Sequence, residues 1–323
     1  MHAPGPPGHG VVRHAAAVAR LAAARGVSPV FVAHPGVGLT HAHFTDALYG
    51  PDIAAACAAF ETWAAGAPRP LVVTLHDVPG ADPDPARDAS RRAGYARVMA
   101  ACDATVVSAE HEASKVAVLT DRPVEVIELP LEELPGGAAR PGWADRPTVG
   151  LLGFIYPGKG HRELIDAAAR QPVPPRVVAA GAVSAGHAAL HRDLVGRAAA
   201  RGVDLVVSGS LSDADLAAAA DAITVPVAPN RTVSASGSLI AWLGRGRRPL
   251  AALGEFSAEL GRRHPGALFI YDGDAELDAA VAAALTRPSW TRLPGPPRWS
   301  DVGAAHAALY RRIAARYRRI ARC

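Results

Sequence analysis

The segment TVGLLGFIYPGKGHRELIDAAA, residues 148–169, decides the fold. An apolar run over 148–154 stops at a Gly/Pro turn that holds Lys159, and apolar residues at helical spacing begin at once after it. A buried strand, a tight turn and a helix in that order form the opening of a βαβ unit. Working outward, the same alternation of short β-branched runs with alanine-rich helical runs fills the chain, the pattern of an α/β protein with parallel sheets.

Before that segment, strands are expected at 29–33, 38–44, 71–76, 104–108 and 124–129, with helices at 11–24, 52–65, 89–101 and 110–119. After it, strands are expected at 176–181, 204–208, 222–226, 248–252 and 267–271, and helices at 186–200, 213–220, 236–243 and 274–284. Between the halves, LEELPGGAARPGWADR (131–146) loses periodicity and gathers Pro and Gly, as a connection does. The reading is one domain over 1–140, a second over 141–298, and a terminal helix, 299–323, packing back across them. Only MHAPGPP precedes the first glycine turn and leaves little room for a first strand; either that strand is cut to a stub or the start codon lies upstream.

At 323 residues the chain is longer than one core usually serves. No apolar run approaches the roughly 18 residues that cross a bilayer, and no charged-then-apolar leader opens the chain, so a soluble, cytoplasmic protein is expected. Cys57, Cys102 and Cys323 make no ligand or disulfide spacing. The formal charge of +4 is scattered rather than set among aromatics, which favours a small anionic ligand over nucleic acid. The final helix, with six arginines between Arg311 and Arg322 opposite Leu309, Ile313, Tyr317 and Ile320, admits a peripheral membrane contact, although docking on the domains explains it more economically.

In an α/β sheet the chemistry belongs to the loops after strands. The turn at 153–160 opens a helix, where backbone N–H groups and the helix dipole attract an anion, and Lys159 adds a full charge. Only one other lysine, Lys115, occurs among 34 lysines and arginines. A solvated loop lysine is the alternative. VSASGSL (233–239) lies at another strand-to-helix turn and offers small residues and hydroxyls to a phosphate, or simply an N-cap. PGHGV (7–11) is a phosphate loop or just a terminus.

LVVTLHDVP (71–79) ends a buried run on His76 and Asp77, a histidine placed for a substrate with an acid able to orient it, or a structural histidine. His41, His43 and Asp46 raise a metal-dependent hydrolase as a rival, with His76 as a further ligand. SAEHEA (108–113) is ordinary capping chemistry.

In chain order these pieces resemble the glycosyltransferases of the GT-B fold, in particular the retaining family 4 (glycosyl transferases group 1) enzymes. The resemblance spans nearly the whole chain. It is carried by Gly8 and Gly10, TLHD at 74–77, CDA and VVS within 102–108, GFIYPGKG at 153–160, GSLSDADL at 209–216 and the Ser-rich turn ahead of 248–251.

The resemblance implies two Rossmann-like α/β domains facing a cleft and a bacterial enzyme that moves a sugar from a nucleotide-sugar donor to a hydroxyl acceptor, with retention and without metal or cofactor. Gly8, Gly10, Gly153, Tyr156, Gly158, Ser234, Ser236, Gly237 and Ser238 would bind the donor, and Lys159 its diphosphate. His76 would stand at the reacting sugar, with His41, His43 and Asp77 on the acceptor side. The chain departs from the family pattern in two ways: its usual arginine five residues before the lysine is Phe154, and its pair of glutamates around the last phosphate turn is absent. A binding protein of the same fold without turnover is therefore a second reading.

Overall fold

The computed structural model describes residues 1–31, 38–131, 134–136 and 139–320. They form two compact units, one of Met1–Pro130 with Ser300–Cys323 and one of Leu131–Trp299.

The first unit runs α1 (Gly10–Ala23), β1 (Thr40–Phe44), α2 (Asp46–Tyr49), α3 (Ile53–Ala65), β2 (Leu71–Leu75), α4 (Pro85–Ala100), β3 (Ala104–Val107), α5 (Glu110–Ala117) and β4 (Val124–Val126). All four strands are parallel, in the order β1-β2-β3-β4. Every residue of β1 and β2 is buried, as in a sheet covered on both faces. The expected stub of a first strand is present: His2 bridges Ala42, donating from its N–H to the His41 carbonyl at 2.7 Å and accepting from the His43 N–H at 2.9 Å. The strand expected at 29–33 is not found over 29–31, and 32–33 lie outside the described residues.

Phe44, Phe60, Tyr95 and Leu71 fill the core of this unit. Helices α3 and α4 approach through Gly94, where a Cβ would lie 2.5 Å from Ile53 Cγ1.

The second unit runs β5 (Thr148–Leu152), α6 (His161–Ala169), β6 (Arg176–Ala180), α7 (Ala188–Ala200), β7 (Leu205–Val207), α8 (Asp213–Ala222), β8 (Val225–Ala228), α9 (Gly237–Gly244), β9 (Leu250–Ala252), α10 (Glu255–Arg263), β10 (Phe269–Tyr271) and α11 (Asp274–Thr286). Its strand order is β10-β9-β8-β5-β6-β7, all parallel. The chain starts in the middle with β5, winds outward through β6 and β7, then returns to lay β8, β9 and β10 on the other side, a doubly wound sheet. The alanine run of α8 stays helical to Ala222, so β8 starts at Val225 rather than at 222. Helix α10 was not expected from sequence, because Gly261 interrupts a short helical pattern; its start is secured by Ser257 Oγ, which accepts from the Gly254 N–H at 2.9 Å.

The chain closes with α12 (Val302–Ile320), which returns to the first unit and packs on α1. Val302, His306, Leu309 and Tyr310 are buried, whereas Tyr317 is exposed, so the apolar stripe is set earlier in the helix than the sequence pattern implied.

Candidate functional site

In the second unit β5 and β8 are neighbours, but the chain leaves them in opposite directions. The point outside their carboxyl ends is the switch point, the crevice where doubly wound sheets bind ligands. Lys159 follows β5 and Ser238 follows β8, although 79 residues separate them; Lys159 Nζ donates to Ser238 Oγ at 3.3 Å.

The loop after β5 owes its path to glycine. Tyr156-Pro157-Gly158-Lys159 turns with the Lys159 N–H donating to the Tyr156 carbonyl at 3.3 Å, and Gly158 at φ 82° takes the position that a type II turn reserves for glycine. Gly160, also left-handed at φ 90°, caps α6, and a Cβ on it would lie 2.4 Å from Pro229 Cγ in the β8 loop. Only glycine lets the two loops meet there.

Around the ammonium stand the Tyr156 ring, its centroid 5.6 Å away, and Gly153, where a Cβ would come within 3.6 Å of Nζ. The Tyr156 hydroxyl accepts from Asn230 Nδ2 at 3.2 Å. Ser236 Oγ lies 3.1 Å from Ser238 Oγ and accepts from the Leu239 N–H at 3.3 Å, so Ser236 is the N-cap of α9 while Gly237 and Ser238 form its first turn. The structure thus gathers Gly153, Tyr156, Gly158, Lys159, Ser236, Gly237 and Ser238; Ser234 lies half-buried earlier in the β8–α9 loop.

Lys159 is 9% exposed, and among the described residues no carboxylate pairs with it. Burial lowers its pKa to about 8. A buried ammonium beside hydroxyls and a helix N-terminus is a site that an anion would complete. The neighbouring His161, first residue of α6, is held to about 4 by burial and then by Lys159, so it stays neutral at neutral pH. Phe154, in the position of the family's arginine, is 47% exposed and brings no charge. Arg231 of the β8 loop is engaged by Asp272 at 2.6 Å.

Gly8 and Gly10 belong to the first unit, at the start of α1, where a Cβ on either would meet nothing within 4 Å. The N-cap of α1 is His9, whose Nδ1 accepts from the Val11 N–H at 3.3 Å. His76 stands just past the carboxyl end of β2, its Nε2 3.2 Å from His43 Nδ1. Asp77 was expected to orient His76. Instead its carboxylate accepts from Thr45 Oγ1 at 2.9 Å, its carbonyl accepts from Arg91 Nη2 at 2.7 Å, and its backbone is left-handed at φ 51°.

His41 is a core residue rather than an acceptor contact: Nδ1 is 2.6 Å from the Tyr310 hydroxyl and Nε2 is 2.8 Å from Thr74 Oγ1. His43 is fully buried as well, stacked on His41 with centroids 4.6 Å apart. Asp46, the acid of the hydrolase reading, is engaged by Arg91 at 2.9 and 3.3 Å. Among the described residues no three His, Cys, Asp or Glu side chains converge as a metal-ligand set.

Two further histidines complete this cluster and were missed in the sequence: His14, 5.0 Å from His76 by ring centroid, and His306, 5.8 Å from His41. Their spacing was the available signal, since His14 lies between Val11 and Val18 on the buried stripe of α1 and His306 falls four residues after Val302. Burial pushes His14, His41 and His43 well below 6.5 and takes His76 and His306 to about 4.

No sequence-family model and no curated protein matches this chain. Solved structures do. HepE from Anabaena, in complex with UDP and glucose, superposes with a TM-score of 0.66 at 16% identity, covering 94% of this chain and 79% of its own. Sucrose-phosphate synthase from Thermosynechococcus elongatus gives 0.60 at 16% identity, over 89% and 73%. WaaG, a glycosyltransferase involved in lipopolysaccharide biosynthesis, gives 0.57 at 13% identity over 98% and 97%, so the two chains match nearly end to end. At such identities the likeness is one of fold, and with two parallel-sheet α/β units the chain has the GT-B fold of these proteins.

Proposed function

We propose that this protein is a glycosyltransferase that moves a sugar from a nucleotide-sugar donor to a hydroxyl acceptor. One observation carries the reading: a buried ammonium, Lys159, with no carboxylate partner among the described residues, set against Ser238 at the N-terminus of α9 where the sheet reverses its winding. Such a group matches a leaving diphosphate. As the sugar–oxygen bond breaks, negative charge grows on the phosphate oxygens, and a cation and helix N–H groups already in place stabilise that charge without reorganising.

Uridine is the first base to test, because the HepE structures hold UDP and UDP-glucose. The reading takes the reaction to proceed with retention and without a metal, the protein's own charges answering the diphosphate. The hydroxyl acceptor is assigned to the first unit, with His76 at the end of β2 as the residue to test there. A cytoplasmic site of action fits Cys57 and Cys102, both buried free thiols.

The test is calorimetric titration of the wild type and Lys159→Ala with UDP, GDP, ADP and dTDP, followed by transfer assays with sugar donors of the base that binds. One nucleotide is expected to bind and to lose about 1–3 kcal/mol in the variant, as removal of a charge-assisted contact should. Absence of binding by any nucleotide overturns the reading. Exposed Phe154 in place of an arginine favours one second reading, a binding protein on this fold. It predicts nucleotide binding with neither transfer nor donor hydrolysis.

A further inference from the structure

The second unit holds another polar concavity, at the other end of its sheet. A cavity of about 430 Å³ is lined by Arg140, Asp221, Thr224, Arg247, Thr291 and Arg292, among others. Asp221 belongs to the last turn of α8, Thr224 immediately precedes β8, and Arg247 lies between α9 and β9. The cavity therefore faces the amino ends of the strands, whereas Lys159 follows a carboxyl end.

Its charges do not balance. Both oxygens of Asp221 are already taken by Arg245, at 3.0 and 2.5 Å. Three guanidinium groups remain. Arg247 is buried and fixed by donation to the carbonyls of Ala220 at 2.6 Å, Ile223 at 2.7 Å and Thr224 at 3.0 Å, which makes it an immobile positive wall. Arg292 is bridged to it through the backbone, is exposed, and has no side-chain partner among the described residues. Arg140, also exposed, donates to the Ala144 carbonyl at 2.7 Å and, among the described residues, to no carboxylate. Burial, and then repulsion from Arg292, lowers the pKa of Arg247 to about 10, with Asp221 opposing the shift only in part.

We propose that this cavity is a second ligand site of the protein, for a phosphorylated small molecule carrying a phosphomonoester or diphosphate group. Guanidinium forks match phosphate oxygens two at a time. The volume falls within the range of small-molecule pockets and leaves room for an organic portion beside the phosphate. The site shares no residue with the Lys159 crevice.

Pyrophosphate, titrated calorimetrically at 0.15 M salt without divalent ions, tests the proposal on a Lys159→Ala background that weakens the first site. That variant is expected to bind one pyrophosphate per chain. Adding Arg140→Ser and Arg292→Ser is expected to weaken this binding by at least about tenfold, the effect of losing charged partners. Both positions are exposed and neither holds a carboxylate among the described residues, so circular dichroism and urea unfolding should match the parent; Arg247 is left in place because its carbonyl bonds secure the fold. In a wild-type background the two arginine changes should leave nucleotide affinity at the Lys159 crevice unaltered. Absence of pyrophosphate binding to Lys159→Ala, or binding that survives the arginine changes, overturns the proposal. Arginine-dependent pyrophosphate binding in a protein that takes no nucleotide would uphold this site while sinking the donor reading.

Discussion

At Lys159 the role proposed for the ammonium and the stability of the fold pull against each other. The unfolded chain keeps this proton to near 10.5 and the folded chain releases it near 8, so below 8 folding must bury a charge, at a cost of about 3 kcal/mol. The penalty is complete below 8 and fades as pH rises from 8 to 10.5, since the unfolded state holds the extra proton in that window. Lys159→Met should therefore raise stability in urea unfolding at pH 7 by about 1–3 kcal/mol, with the gain shrinking at pH 10, while the proposed nucleotide binding weakens. Equal or lower stability of the variant at pH 7 would mean that the ammonium is already compensated in the folded protein. The Pro-Gly-Lys turn was legible in the sequence because positive φ at position 158 calls for glycine. The pairing of His76 with His43 was not legible, because it depends on the register that sets His43 opposite Thr74 across two strands.

At the scale of elements, the contact of α1 with α12 rests on a close backbone approach. A Cβ on Gly303 would lie 2.5 Å from the Leu21 carbonyl oxygen, and both groups belong to helix backbones that cannot turn aside. Gly303→Ala should part the helices and destabilise the first unit by about 1–3 kcal/mol in urea unfolding, as overpacking does. Limited proteolysis should then cut the C-terminal helix sooner than in the wild type; an unchanged digestion rate would show that the helices slide apart without loss. Most helices and strands could be located from periodicity, which is a local property. Helix α10 could not, and the exposure of Tyr317 could not either, because the partner of α12 was unknown before α1 was seen beneath it.

For the molecule as a whole, the five-histidine cluster of the first unit predicts sensitivity to acid. His14, His41, His43, His76 and His306 stay neutral in the folded state at pH values where the unfolded chain, titrating near 6.5, takes up protons. Stability contributed by keeping them neutral is therefore present above 6.5 and lost as pH falls from 6.5 toward 4, by up to about 1.4 kcal/mol per pH unit for each ring. Urea midpoints measured between pH 7 and 4.5 should drop steeply. His14→Leu should flatten that slope by about one proton without loss at pH 7, since both His14 ring nitrogens lack a hydrogen-bond partner among the described residues. A flat wild-type profile would show that the cluster is hydrated and titrates normally.

The sequence by itself determined the α/β class, two βαβ-built halves, and glycine turns at strand ends with a lysine in one of them. These follow from the spacing of apolar residues and from the backbone freedom of glycine, both written within a few neighbouring positions. Only the tertiary structure decided the strand order, because pairing joins segments distant in sequence and no local pattern records it. That order makes β5 and β8 neighbours, brings Lys159 against Ser238, buries the histidines that sequence reading had set on the acceptor side, and gathers Arg140, Arg247 and Arg292 around one cavity.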